Sequence, residues 1–157
     1  MFRELTRINQ KLSDEESIEI LIDAKRGILA VSGEDGYPYA MPINHYYCEE
    51  DGKIYFHGGK AGHKIDALSK DDKVCFTVLS DPIQTEGQWY CDFKSVVVFG
   101  RCRPVSTEKM IEISRALSYK FTDDEAYIED EIRRGAAGTL AFEIIPEHIT
   151  GKLVHER

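Results

Sequence analysis

The spacing of hydrophobic positions changes along the chain, and the changes mark its elements. Ser13 is followed three residues later by Glu16, a capping box, and Ile18, Leu21 and Ile22 then share one helical face. A first helix is predicted at about 14–25, stopping at Gly27. GILAVS (27–32) reads as a buried strand and GEDG (33–36) as a hairpin turn. Residues 37–48 form a long second strand, EEDG (49–52) a turn, and KIYFH (53–57) a third strand. The Gly-rich HGGKAGHK leads into a short helix, IDALSK, and VCFTVLS (74–80) is the fourth strand. DPIQTEGQWYCD (81–92) reads as a loop, long enough to suggest a functional or interfacial role. SVVVFGRCRPV (95–105) is the fifth strand, helices follow at about 107–120 and 123–134, and GTLAFEIIPEHITG (138–151) is the sixth strand.

Short connections between successive strands favour antiparallel pairing, since parallel crossovers need a dozen or more residues. Both faces of the fifth strand are apolar, which favours a closed or half-closed barrel over an open sheet. The expected fold is mainly β within the α+β class. It is a six-stranded antiparallel barrel with short peripheral helices, in a single domain over 1–157, and no repeat is visible.

Composition narrows the partners. The formal charge of −8 over 157 residues disfavours non-specific binding to nucleic acid or acidic lipid, but leaves room for a phosphate in a local basic pocket. The longest apolar runs, of about five residues, fall far short of the ~20 a membrane helix needs, so no membrane partner is expected. The opening MFRELTRINQKLSDEES is charged and lacks an apolar signal core. Four cysteines without a CxxC pair complete the expectation of a reduced, cytoplasmic protein.

The segment 53–64, KIYFHGGKAGHK, carries the most chemistry. It runs from strand through three glycines into a helix start, and gathers Lys53, Lys60, Lys64, His57 and His63 without one carboxylate. Glycines let backbone N–H groups approach a ligand, and a helix N-terminus adds partial positive charge, so the segment suits a phosphate monoester. A solvated turn bearing surface lysines is the alternative. It is no P-loop, because Ile65 follows Lys64 where Ser or Thr is required, and GxGxxG is absent. In YPYAMPINHYY (37–47), alternation puts Pro38, Ala40, Pro42, Asn44 and Tyr46 on one face. The two prolines place this strand at an edge or bulge, where freed backbone groups and Asn44 can meet a planar ligand, or where the prolines simply guard the edge. No histidine or cysteine spacing meets the four-ligand need of a structural zinc site, so no metal is expected. No nucleophile motif occurs, and Trp89, Tyr90 and Phe93 read as an interface patch or a cap on a ring system.

YPYAMPINHYY, then DGKIYFHGGKAGHKIDALSKDDKVCFTV, then KSVVVFGRCRPV together resemble the pyridoxamine 5′-phosphate oxidase-related flavoproteins, nearest the split-barrel branch that includes the nitroimidazole-resistance reductases. The resemblance spans about 13–151, and the order of the blocks is specific to the superfamily while none is specific to a substrate. It implies a six-stranded FMN-binding split barrel, a homodimer with FMN at the subunit interface, and a small-molecule substrate. By resemblance, Pro42, Ile43 and Asn44 line the isoalloxazine ring, and His57, Gly58, His63 and Lys64 hold the phosphate and ribityl end. Ser95 lies near the flavin, and Trp89 reaches the cleft from the partner subunit. The activity implied is an oxidoreductase passing electrons from a reduced nicotinamide to a small electrophile such as a nitroaromatic. No catalytic side chain is assigned, and a strand histidine, His45, serves packing or donates a proton. Two departures argue against oxidation of pyridoxamine phosphate itself: no Arg or Lys lies between Tyr37 and Asp51, and the tail HITGKLVHER lacks the family's arginine-bearing segment. The alternatives are a flavin-binding or storage module without turnover, and a split barrel that binds haem or another phosphate-bearing cofactor.

Overall fold

The computed structural model describes residues 1–156; Arg157, the last residue of the expected domain, lies outside them. Four helices, α1 (Asp14–Asp23), α2 (His63–Lys70), α3 (Thr107–Tyr119) and α4 (Glu125–Gly135), surround one antiparallel sheet. The strands are β1 (Arg26–Ser32), β2 (Pro38–Asn44), β3 (Tyr46–Cys48), β4 (Lys53–Gly59), β5 (Lys73–Leu79), β6 (Ile83–Gln84), β7 (Cys91–Pro104) and β8 (Thr139–His155). Each helix begins where sequence chemistry permits. The Ser13 hydroxyl and the Glu16 carboxylate cap α1 reciprocally, Ser106 caps α3, and Asp124 caps α4.

The sheet order is β2-β1-β5-β7-β8-β4-β3, with β6 extending the ladder beside the start of β7. Its outermost strands, β2 and β3, are separated in sequence by His45 alone. Two edges joined by one residue cannot lie at opposite ends of a flat sheet, so the sheet curls until they meet, giving a half-closed barrel. Val74, Phe76 and Val78 of β5 point inward with Val96 and Val98 of β7, meeting Phe56 and Ile144 in the core. Outside the barrel, α3 seals Tyr55 and Cys48 with Ile113.

Eight strands replace the six expected. The long second strand is broken at His45, whose side chain turns into the core, so the chain leaves one edge and enters the other. Within the 81–92 loop, Ile83 and Gln84 pair with Asp92 and Cys91, forming a hairpin. The sixth predicted strand runs on to His155, because β7 stays paired with it past a register shift at Phe99 and Gly100.

Candidate functional site

The expected phosphate corner lies where β4 ends and α2 begins. Gly62 sits at φ 127°, a conformation that favours glycine, and α2 starts immediately after it with no side-chain cap on its first-turn amides. The Lys64 side chain folds back over β4: its ammonium lies 5.2 Å from the centre of the Phe56 ring, and a Cβ on Gly58 would come within 2.9 Å of it. A side chain at residue 58 would push the Lys64 ammonium aside, so glycine there leaves room for this placement. Among the described residues no carboxylate pairs with Lys64, and burial holds its pKa below the ordinary lysine value, with Cys102 pulling weakly the other way. An unpaired, partly desolvated cation beside bare helix amides is the arrangement an anion completes.

The histidines divide. His63 stacks on Tyr39 of β2, ring centres 3.9 Å apart, which ties the helix start to the proline-bearing strand. His57 turns to the other side of β4, where its Nδ1 lies 3.4 Å from the Ser114 hydroxyl of α3. The surrounding protein, and then Lys64, hold its pKa below the usual imidazole value. His45 is fully buried, its Nε2–H donating to the Leu21 carbonyl at 2.7 Å with Phe76 edge-on, so it cannot reach a ligand in the cleft.

β2 is an edge strand, with Pro42 and Asn44 on the exposed outer face and Ile43 turned into the core. Ser95 and Trp89 stand apart from the corner. Ser95 lies on β7 between Leu79 and Lys152, and Trp89 is exposed at the tip of the β6–β7 hairpin. β8 pairs its first residues with Gly58 and Gly59 and its last with Phe93 and Asp92. The hairpin is thus separated from its own corner by roughly 45 Å of strand path, at ~3.3 Å per residue. Two cavities, of about 820 and 460 Å³, open elsewhere, and neither is lined by His57, Gly58, His63 or Lys64. Among the described residues no three His, Cys, Asp or Glu side chains gather as a metal would require, and no helix is long and apolar enough to cross a membrane.

Sequence reading missed Tyr39, Phe56 and Arg26 as neighbours of the site. The strand alternation that put Tyr39 opposite Pro38 was a signal for the first, whereas Arg26, whose Nε–H donates to the Asn44 side-chain oxygen at 3.3 Å, needs the β1–β2 register to be found.

A half-closed antiparallel barrel with helices packed outside it, and a glycine-flanked cationic corner at one end, defines a split-barrel protein. The family model described as pyridoxamine 5′-phosphate oxidase matches residues 13–153, and the chain belongs to that family. Its fold is similar to that of a candidate 5-nitroimidazole antibiotic resistance protein from Bacteroides thetaiotaomicron (18% identity, 92% of this chain and 87% of that one, TM-score 0.78). It is also similar to an FAD-binding protein from Mesorhizobium loti (23% identity, 92% and 97%, TM-score 0.68) and to an FAD and heme binding protein from Mycobacterium smegmatis (20%, 94% and 74%, TM-score 0.72). No curated protein matches the sequence.

Proposed function

We propose that this chain is an FMN-binding flavoprotein, a homodimeric oxidoreductase of the cytoplasm that passes electrons from a reduced nicotinamide to a small molecule such as a nitroaromatic. The observation that carries this reading is the corner itself: Lys64, unpaired and folded over Gly58, stands beside the uncapped first turn of α2 in a segment free of carboxylates. The residues present fit a flavin phosphate there, with His63 beside it and His57 behind the strand. Pro42 and Asn44 offer an outward strand surface along which the ring can lie, with Ile43 backing it from the core and the backbone N–H missing at Pro42. The names of the Mesorhizobium and Mycobacterium neighbours support a flavin. One cationic corner suits the single phosphate of FMN, and Trp89, exposed at the tip of its hairpin, is placed in this reading to complete the cleft of a second copy.

FMN, when bound, would supply the redox chemistry for carrying two electrons from the nicotinamide to the acceptor, with the accompanying proton released to the acceptor or to solvent. The chain's own residues bind and orient. The α2 amides and Lys64 hold the phosphate, His63 is fixed by Tyr39, and the prolines keep the strand edge open to the ring.

Lys64→Ala is expected to weaken FMN binding by about 1.5–3 kcal/mol, the range for a charged hydrogen bond, as read by fluorescence titration. Unchanged affinity would remove the corner as the phosphate site. Flavin released by denaturation and resolved by chromatography distinguishes FMN from FAD. Mixing the loaded protein with reduced nicotinamide separates an enzyme, whose flavin absorbance bleaches, from a carrier, whose absorbance persists.

A further inference from the structure

The larger cavity, of about 820 Å³, has the β6–β7 hairpin as one of its walls. Ile83, Asp92 and Phe93 supply that wall, and α1 contributes Glu19, Ile20 and Asp23 to the same cavity. The base of the hairpin is pinned. The Ser80 N–H donates to the Lys94 carbonyl at 2.8 Å, and the Lys94 N–H donates to the Ser80 hydroxyl at 2.9 Å.

Past that pin the hairpin has little of its own to hold it. β6 offers only Ile83 and Gln84 to pair with Asp92 and Cys91, and Ile83 and Trp89 are 72% and 79% exposed. A two-stranded ribbon this short, burying so little, is marginal in water and belongs to the low-stability end of a structure.

The bonds that hold it come from its other edge, where β8 ends. The His155 Nδ1–H donates to Asp92 Oδ1 at 2.7 Å. The Cys91 N–H donates to the Glu156 carboxylate at 3.1 Å, and the Glu156 N–H donates to the Cys91 carbonyl at 3.3 Å. All three bonds land on the two residues that pair with β6, so His155 and Glu156 clasp the ribbon from the side opposite β6. Water reaches the His155–Asp92 pair, whose side chains are 34% and 38% exposed, so the clasp can open while the sheet beneath stays folded.

We propose that the β6–β7 hairpin is a hinged lid on this cavity, and that His155 with Glu156 is the latch that holds it shut. Released, the ribbon swings about the Ser80–Lys94 pin and carries Ile83 and Asp92 away from α1, which widens the mouth. A cavity of this size suits a drug-sized molecule, and the latch sets how fast one enters. The inference stands apart from the flavin reading, since the cavity shares no residue with the Lys64 corner.

The test compares wild type with Asp92→Ala, His155→Ala and His155→Asn, all at partly exposed positions, with thermal midpoints as the control. Hydrogen exchange of the amides in 83–92 should quicken about tenfold in both alanine variants, as expected for the loss of one hydrogen bond from the closed form. The amides of 74–78 should keep their rates. Trp89 is the chain's single tryptophan, and its fluorescence anisotropy should fall in the same variants. N-phenyl-1-naphthylamine is a neutral apolar dye, chosen because charges of both signs line the cavity. It should enter the alanine variants faster in stopped-flow fluorescence. His155→Asn, whose side-chain amide offers a donor where Nδ1 stood, should return all three readings toward wild type. Unchanged exchange in 83–92, an equal rise in 74–78, or an asparagine variant that behaves like alanine overturns the latch. Dye entry no faster through a loosened hairpin, or no dye uptake at all, overturns the lid.

Discussion

His45 carries a buried imidazole whose Nε2–H is satisfied by the Leu21 carbonyl and whose Nδ1 has no partner. Burial, and then the Lys120 ammonium, push its pKa down from 6.5 to about 4. Between those values the unfolded chain takes up a proton that the folded chain refuses. Stability is therefore complete above pH 6.5 and declines as the pH falls toward 4, by about 3 kcal/mol from this group. His45→Gln, which keeps a donor for Leu21, is expected to flatten the slope of urea stability between pH 6.5 and 4. His57, also lowered, leaves a smaller residual slope. An unchanged slope would mean that His45 is not the group being titrated. Lys120 is pushed down to about 8 by burial, with Asp23 opposing, and remains the cation that ties α1 to the β2 end at neutral pH. At this scale the sequence was legible where chemistry is local. The Ser13 and Glu16 cap and the absence of carboxylates from 53–64 are visible in the letters alone. Lys64 folding over Gly58, and Arg26 reaching Asn44, depend on distances that the letters do not carry.

Elements were legible where period and punctuation agree. The four helices and the strands β1, β4, β5 and β7 stand close to their predicted positions, since each combines a clear apolar spacing with a cap or turn at its ends. The break at His45 was illegible because alternation continues through it: Ile43, His45 and Tyr47 keep their phase while the hydrogen-bonding partner changes from β1 to β4. Only pairing, a long-range property, reveals the junction. Pairing also explains Gly27, which sits so close to β5 that a Cβ would come within 2.5 Å of Phe76 Cζ and 2.6 Å of the Thr77 carbonyl oxygen. Gly27→Ala is expected to destabilise the fold by about 2 kcal/mol, because the ring and the strand must both yield. For a chain of this size that lowers Tm by roughly 5 °C, readable by calorimetry. An unaltered Tm would show that β1 and β5 do not approach so closely.

For the molecule as a whole, the outer face of β1, β5 and β7 is the surface left to explain. Ile28, Leu79 and Phe99 stand there 46%, 58% and 40% exposed, with Val97 between them, and Phe2 from the N-terminal segment covers part of it by stacking on Phe99 and His148. A second copy laid on this face would bury these side chains. Leu79→Asp, at a site too exposed to disturb the monomer, is expected to convert a dimer at micromolar concentration into a monomer in light scattering and to weaken FMN binding in parallel. Monomeric wild type at that concentration would remove the shared cleft. The sequence showed that this strand was apolar on both faces, yet could not say which face met the core and which stayed exposed.

The single-residue joint between β2 and β3 has a consequence for how such chains avoid fibrils. One rim of the sheet is lined by prolines at 38 and 42 and the other is a strand of three residues, so neither presents a long ladder of free amides as a template. An endless stack of copies, edge bonded to edge, therefore finds nowhere on either rim to grow.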